Sequence, residues 1–288
     1  MLFLELFVQG LVQGSIYALI AIGLTLVYGL LRILHIAHAA LFTLGGYIGV
    51  LVANATGSLA LALLVAMLVV GVVGMAMYRL CYQPILSRPP FVALIASIGL
   101  YIAMEEVFRL VFGPYGLSFK APPLQQTVAV FGMSLSLAEI ATMAGAVLFI
   151  GGLALLAERT RTGIAWRATV TVPDMAESFG IDIIRVRYLN FFIGSALAAG
   201  AGVMVALLNN LVEPTMGDVP SYKALAIIVL GGLGNVKGTL VAALALGVIE
   251  AYGTIYLGKV LDRDAIAFAF LIAVLMLRPQ GLFARASA

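Results

Sequence analysis

Long apolar runs recur along the whole chain, and they constrain its fold more than any other feature. A helix needs about 20 apolar residues to cross a bilayer core roughly 30 Å thick. Runs near this length lie at 6–30, 37–53, 58–78, 91–112, 135–157, 188–208, 238–257 and 264–278. The sequence is 63% hydrophobic and only 10% charged, whereas roughly 25% of residues are charged in soluble domains. We therefore predict an all-α polytopic membrane protein with a single transmembrane domain over residues 1–288.

A shorter apolar piece, 224–233, lies between the sixth and seventh runs. Its residues reach only about 15 Å as a helix, which is half of the membrane core. We expect about eight full transmembrane helices plus this one, which either crosses or re-enters. If it crosses and the N-terminus is outside, eleven basic residues face the cytoplasm and four, including Lys223 and Arg263, face outside. This asymmetry favours a cytoplasmic C-terminus.

The segment 158–187 is a polar island between two apolar runs. It holds five arginines and four acidic residues, and its arginines place it in the cytoplasm. Its centre predicts a short helix, because Pro173 suits a first helical position and Gly180 suits the residue after a helix end. Such a helix could dock on a soluble partner, or the segment could be only a solvated connector.

Two other segments interrupt the regular pattern. Residues 31–47 place two histidines at a junction between spans, and 213–238 combine a loop, the short apolar piece and a glycine cluster. Interrupted segments of this kind often line the pathways of transporters. Small residues also recur four apart within the spans, which predicts closely packed helices. These rows are Gly45 and Gly49; Gly194, Ala198 and Gly202; and Ala243, Gly247 and Ala251.

Several individual polar residues have more than one possible role. His35 and His38 could form a metal pair, although hydrogen bonding in a broken helix is the commoner role, and the single cysteine, Cys81, adds little to a metal site. Glu250 lies alone within an apolar run and should face a polar pathway or pair across helices.

Glu105 and Glu106 lie four and three residues before Arg109, which predicts ion pairs within one helix. The cluster Gly231, Gly232, Gly234 and Gly238 lacks the ending of a phosphate-binding loop. No catalytic motif or basic tract for nucleic acid is evident, so we expect neither an enzyme nor a nucleic-acid partner.

Four sequence blocks together resemble one known family. They are 14–47, 163–182, 214–251 and 277–285, which begin GSIYALIAIG, GIAWRATVTV, PTMGDVPSYK and LRPQGLFAR. In combination and in order, they resemble the shorter permease subunit of the branched-chain amino-acid (Liv-type) ABC importers and of their urea and amide relatives.

The resemblance implies a transport subunit of the inner membrane, not an enzyme. It implies a second paralogous permease, two cytoplasmic ATP-binding subunits and a periplasmic substrate-binding protein as partners, with membrane lipid around the spans. ATP and Mg would belong to the ATPases, and this chain would hold no cofactor. The block after the central arginine would be the helix that couples to the ATPases. Its residues here are Arg167, Ala168, Pro173, Asp174, Met175, Ala176, Glu177, Ser178, Phe179 and Gly180.

Our hypothesis is therefore a permease with alternating access, for branched-chain amino acids or for an amide, urea or aromatic acid. We predict that Tyr17, His38, Tyr47 and Glu250 line or support the solute path. The alternative is an ion-coupled secondary transporter in which Glu250 carries the coupling charge.

Overall fold

The computed structural model describes residues 2–130, 133–258, 260–278 and 281–282. Lys259, counted among the four basic residues outside, and Arg285, counted among the eleven in the cytoplasm, lie beyond these described residues. Eleven helices and one hairpin occur in this part of the chain. The helices are α1 (Leu2–Leu31), α2 (His38–Thr56), α3 (Leu59–Met77), α4 (Pro90–Phe112), α5 (Leu137–Arg159), α6 (Arg161–Thr171), α7 (Pro173–Ser178), α8 (Ile183–Asn209), α9 (Asp218–Gly231), α10 (Val236–Leu257) and α11 (Arg263–Leu277). A π-turn at Tyr78–Tyr82 and a 3₁₀ turn at Gln83–Ile85 continue α3.

The predicted all-α membrane fold is confirmed. Among the described residues, seven helices are long and apolar enough to cross a membrane. The last predicted span is α11, which has 15 residues and falls short of that length. The hairpin pairs β1 (Thr127–Val130) with β2 (Met133–Ser136) in antiparallel register and leads directly into α5. Its Ser136 caps α5 in a capping box with Glu139, which starts the helix at a defined residue.

The short apolar piece begins earlier than predicted. Helix α9 starts at Asp218 rather than near residue 224, and its 14 residues reach about 21 Å. It therefore includes Lys223, which lies within the helix rather than in the loop before it. Lys223 is only 2% exposed, and the ion pairs described below stabilise its charge inside the protein.

Small residues bring the central helices into backbone contact, as predicted. A Cβ atom added to Gly45 of α2 would lie 2.3 Å from Ala199 Cα of α8, and one on Gly202 would lie 2.0 Å from Phe42 O. On the other side of the bundle, a Cβ on Gly247 of α10 would lie 2.4 Å from Gly10 O of α1. The core consequently centres on α1, α8 and α10, with α9 packed against α1 and α10.

The chain enters α2 inside the bundle rather than at its edge. After α1 ends, Arg32 adopts a left-handed φ of 53° and residues 32–37 run back along the helix without regular structure. His38, the first residue of α2, consequently lies beside Gly23, where an added Cβ would be 2.9 Å from its Nε2 atom. Gly23 lies eight residues before Leu31, so α2 begins about 12 Å back along α1.

Candidate functional site

A buried polar network joins four helices around Glu250 of α10. Its Oε2 atom accepts hydrogen bonds from the Tyr17 hydroxyl of α1 at 2.7 Å and from Arg263 Nε of α11 at 2.9 Å. Lys223 Nζ of α9 lies 2.9 Å from Glu250 Oε1 and donates to Tyr17 Oη at 3.0 Å. Glu250 is 0% exposed, and this arrangement provides the partners that a buried carboxylate needs.

Asp264 completes the network at the start of α11. Lys223 Nζ lies 2.9 Å from Asp264 Oδ1, and the Tyr222 hydroxyl donates to Asp264 Oδ2 at 2.7 Å. Two cations therefore face two anions, and the formal charges cancel. Asp264 and Arg263 are partly exposed whereas Lys223 and Glu250 are buried, so the network extends from the core of the bundle toward the start of α11. We call these residues the α9–α11 network: Tyr17, Tyr222, Lys223, Glu250, Arg263 and Asp264.

The two interrupted segments predicted from the sequence meet in the structure. Val212 and Leu117 form an isolated antiparallel bridge, after which the chain turns into the bundle and starts α9 at Asp218. Gly217, the residue before α9, lies against the start of α2, because a Cβ added to it would be 2.6 Å from Ala39 O and 2.8 Å from Thr43 Oγ1. We call this contact the α2–α9 junction.

The helix starts at this junction lack side-chain caps. Neither Ala37, before α2, nor Gly217, before α9, makes a side-chain capping hydrogen bond. The hydroxyl of Tyr101 in α4 donates to Asp218, which ties the first turn of α9 to a third helix. His38 at the start of α2 and Gly217 just before α9 are buried, whereas Asp218 is exposed. Two helix starts in contact of this kind resemble the broken helices at the solute sites of many transporters.

His35 and His38 lie close together near the start of α2. The His35 Nδ1 atom is 2.7 Å from Tyr82 Oη, and the two histidine rings are 5.7 Å apart. His35 is 0% exposed and His38 is 2% exposed. Within the described residues, no group of three or more histidine, cysteine, aspartate or glutamate side chains is arranged to hold a metal ion. The hydrogen-bonding role of His35 is therefore the one that the geometry supports.

Tyr47 lies on α2 in an aromatic cluster. Its ring stacks on Phe112 at a centroid distance of 4.2 Å and packs against Phe108 at 5.4 Å. Tyr47 is 0% exposed. Of the four residues predicted for the solute path, Tyr17 and Glu250 thus bond each other directly. His38 and Tyr47 both lie on α2, His38 at the α2–α9 junction and Tyr47 two turns beyond it.

The central polar segment contains two helices, of which only the second was predicted. Helix α6 lies before α7. It starts after Thr160, whose side chain accepts a hydrogen bond from Gly163 N and caps the helix. Pro173 opens α7, and Gly180, with a φ of 83°, ends it. Arg167 is an exposed residue of α6, and Ala168 accepts a hydrogen bond from Val172 N at the helix end.

One face of α7 is apolar and exposed. Ala176 is 2% exposed and packs inward, whereas Met175 and Phe179 are 59% and 81% exposed. Met175 and Phe179 are four residues apart and therefore share a face. Asp174, Glu177, Ser178 and Gly180 are also exposed. An exposed methionine and phenylalanine beside polar residues form a surface suited to a hydrophobic groove in another protein.

Sequence reasoning missed Lys223, Tyr222, Arg263 and Asp264 as members of the network. A signal was present, because Lys223 directly precedes the apolar run of α9 and Glu250 needed a cation somewhere. The predicted pairs in α4 are confirmed: Arg109 lies 2.6 Å from Glu105 and 2.7 Å from Glu106. They are partly exposed and lie apart from both the junction and the network.

Comparisons with known proteins agree on one family. The family model described as "Branched-chain amino acid transport system / permease component" matches residues 6–277. The chain is 33% identical to the high-affinity branched-chain amino acid transport system permease protein LivH of Escherichia coli K12, over 98% of this chain and 96% of that protein. It is 32% identical to the corresponding permease protein BraD of Pseudomonas aeruginosa, with the same coverage.

The chain also matches a longer permease protein, at lower identity. The chain is 26% identical to the branched-chain amino acid permease protein LivM of Salmonella typhimurium, over 93% of this chain and 67% of that longer protein. No solved structure matches the chain.

Proposed function

Since this chain belongs to the branched-chain amino acid transport permease family, we propose that it is one transmembrane subunit of an ATP-driven importer. Its solute would be a branched-chain amino acid or a related small organic molecule such as an amide, urea or aromatic acid. A second, paralogous permease would complete the membrane pathway, as the separate names LivH and LivM among its relatives suggest. Two cytoplasmic ATPases would supply the energy, and a periplasmic binding protein would deliver the solute.

The exposed apolar face of α7 carries this proposal. Met175 is exposed on a six-residue helix that packs mainly against α6, and the exposed Phe179 directly follows that helix. Leaving two large apolar side chains in water is unfavourable, by about 1.5–3 kcal/mol for each fully transferred side chain, so a partner surface that covers them would gain that free energy. An ATPase docked here would transmit its closure through α6 to α5 and α8, which both contact α6.

The solute path in this proposal follows the α2–α9 junction. Alternating access requires helices that can occupy two arrangements. The starts of α2 and α9, at His38 and Asp218, can change their mutual contact without unfolding a complete span. In this proposal the spans lie in a bacterial inner membrane. The segment 158–187 and the C-terminus lie in the cytoplasm, and the N-terminus lies outside.

The alternative, an ion-coupled transporter, is less well supported by the geometry. Such a transporter would need Glu250 to gain and lose a coupling ion. Glu250 instead lies between Lys223 and Arg263 in a charge-balanced set of partners, an arrangement suited to joining helices. The exposed face of α7 would also have no role in that mechanism.

Subunit identification tests the proposal. The tagged chain is isolated from its native membrane in mild detergent, and co-purifying proteins are identified by mass spectrometry. We expect a second permease and ATP-binding subunits, with ATP-dependent uptake after reconstitution with the binding protein. A stable chain that purifies alone and moves solute into vesicles without ATP would overturn the importer proposal and favour ion coupling.

A further inference from the structure

A cavity of about 260 Å³ lies where α5, α6 and α8 converge. It is separate from the α9–α11 network and from the α2–α9 junction, because it shares no lining residue with either. Residues of α5, α6 and α8 form its lining, together with Leu26 of α1. Its lining residues are Leu26, Leu153, Leu156, Thr162, Ala165, Trp166, Arg185, Val186, Leu189, Asn190 and Ile193.

The lining is apolar along its depth. Asn190 is the polar lining residue farthest along α8, and its side-chain amide already donates a hydrogen bond to Leu26 O. The indole Nε1 of Trp166 is a buried donor of the lining without a partner among the described residues. A water-soluble ligand would therefore find few free polar partners there, whereas a hydrocarbon chain would need none. Leu189 is 40% exposed, so the α8 wall reaches the outer surface of the helix bundle, which faces lipid in a membrane protein.

The rim of the cavity is cationic. Arg185 lies in the first turn of α8, and its side chain is 88% exposed. In the described part of the chain it makes one ion pair, in which its Nε atom lies 2.8 Å from Asp182 Oδ2. The guanidinium carries five N–H donors, so donors on its two terminal nitrogens remain for an anion. Thr162 adds a hydroxyl to the same lining.

We propose that this cavity binds an anionic phospholipid of the surrounding bilayer, with one acyl chain between α5 and α8 and the phosphate on Arg185. From Arg185 to Ile193 the lining follows α8 for eight residues, which is about 12 Å. The volume is below the roughly 300–1,000 Å³ of sites that enclose a small molecule. Part of one acyl chain fits this space, while the headgroup, the rest of that chain and the second chain remain outside.

Two further observations favour a lipid over a soluble ligand. Trp166, the only tryptophan of the chain, lines the cavity, and tryptophan is enriched at the level of lipid headgroups. The neighbouring segment carries its arginines immediately beside span ends, where basic residues attract anionic lipids by about 1 kcal/mol each.

The site would connect lipid to the coupling segment. Helix α6 contributes Thr162, Ala165 and Trp166 to the cavity and is also the main support of α7. An acyl chain under α6 would fix its position relative to α5 and α8. We therefore expect an anionic lipid to stabilise this segment, because any ligand that binds only the folded state raises its stability.

Native mass spectrometry of the full chain with its co-purified subunits tests the proposal. The delipidated protein is titrated in parallel with phosphatidylglycerol, phosphatidylcholine and oleate. We expect one phosphatidylglycerol per chain to be retained in preference to the other two. Arg185→Gln should weaken that retention about fivefold, the effect of one cation beside an anionic headgroup. Ala165→Phe should fill the cavity and reduce retention of phosphatidylglycerol further.

Arg161→Gln is the matched control, since Arg161 is an exposed arginine of the same segment that does not line the cavity. It should retain phosphatidylglycerol better than Arg185→Gln does, because Arg161 contributes only to the general attraction between basic residues and anionic lipid. Arg185→Lys should recover part of the retention that Arg185→Gln loses. Equal retention in Arg185→Gln and Arg161→Gln, or preferential binding of oleate, would overturn the proposal. Leu156→Phe provides a second filled variant if Ala165→Phe does not purify. Subunit recovery in each sample separates failure of the lipid site from failure of the importer proposal.

Discussion

Lys223 Nζ lies 2.9 Å from Glu250 Oε1 although the two residues are 27 positions apart on α9 and α10. Their side chains are 3% and 0% exposed, so neither charge is stabilised by water. The pair therefore depends on its own geometry and on Tyr17, Arg263 and Asp264 for compensation. The pair also anchors α9 to α10. With 14 residues, α9 is shorter than the roughly 20 residues of a full span, so its position depends on such contacts.

We expect Lys223→Met to destabilise the protein by about 3–5 kcal/mol, because breaking a buried ion pair leaves an uncompensated charge. Glu250→Gln should have a similar effect, since Lys223 and Arg263 would then face Asp264 alone. The double variant Lys223→Met with Glu250→Gln should be more stable than the sum of the two single effects predicts. Thermal unfolding of the four proteins in one detergent measures this coupling.

An additive double variant would contradict the proposed interdependence of these residues. Arg109→Gln is a suitable control, because Arg109 makes equally short ion pairs in α4 but is partly exposed. Its loss should cost no more than about 1 kcal/mol.

The contact between α2 and α8 gives a second prediction. Gly202→Ala would place a Cβ atom 2.0 Å from Phe42 O and 3.0 Å from Gly46 N. Backbone atoms cannot move aside independently, so the helices must separate, and we expect a loss of about 1–3 kcal/mol from overpacking. Gly99→Ala in α4 meets nothing within 4 Å and should be neutral or stabilising by about 0.5–1 kcal/mol.

Denaturation of the two glycine variants and the wild type in the same detergent provides the comparison. A Gly202→Ala protein as stable as Gly99→Ala would show that the close approach of α2 and α8 does not contribute to stability.

The sequence predicted those features that depend on local patterns. Apolar length identified the spans, and the rows containing Gly45 and Gly202 predicted close contacts, because only small residues allow helices to approach so closely. Pro173 and Gly180 marked the limits of α7, since both residues impose a local backbone conformation. Helix α6 was missed because its apolar residues form no long run and its start depends on one threonine cap.

Features that depend on three-dimensional pairing could not be predicted in the same way. The partners of Glu250 lie on three other helices, and no sequence spacing relates Tyr17 to residues more than 200 positions away. The two interrupted segments were recognised separately, but their meeting at Ala39 and Gly217 depends on how far residues 32–37 return along α1. That return path follows from the left-handed turn at Arg32, which a non-glycine residue rarely adopts.

The apolar face of α7 gives a third prediction. Phe179→Asp should leave the fold intact, because the side chain is 81% exposed, but should weaken association with the ATPases. Replacing an aromatic anchor at an interface costs about 2 kcal/mol or more, which corresponds to roughly a 30-fold lower affinity. Recovery of ATPase subunits with the tagged variant, relative to wild type, measures the effect.

Tyr115→Asp is the control for Phe179→Asp. Tyr115 is 90% exposed but lies after α4, near the Leu117–Val212 bridge and therefore beyond the end of α8 opposite to α7. It should not alter ATPase recovery. Equal recovery of ATPases with both variants would remove α7 from the proposed coupling surface.

The α2–α9 junction gives the final prediction, which concerns movement. Thr43 is 1% exposed, and its Oγ1 atom would lie 2.8 Å from a Cβ on Gly217, so a cysteine there should be protected while the junction is closed. In a Cys81→Ser background, we expect Thr43→Cys to react with a water-soluble thiol reagent faster during ATP-driven transport than at rest, because thiol reactivity requires access to solvent. Ala62→Cys, at a 0% exposed site in α3, should stay unreactive in both conditions. If the two cysteines remain equally protected during transport, the junction does not open and the solute path must run elsewhere. If Thr43→Cys reacts only while ATP is hydrolysed, opening of the junction is tied to the ATPase cycle, as alternating access requires.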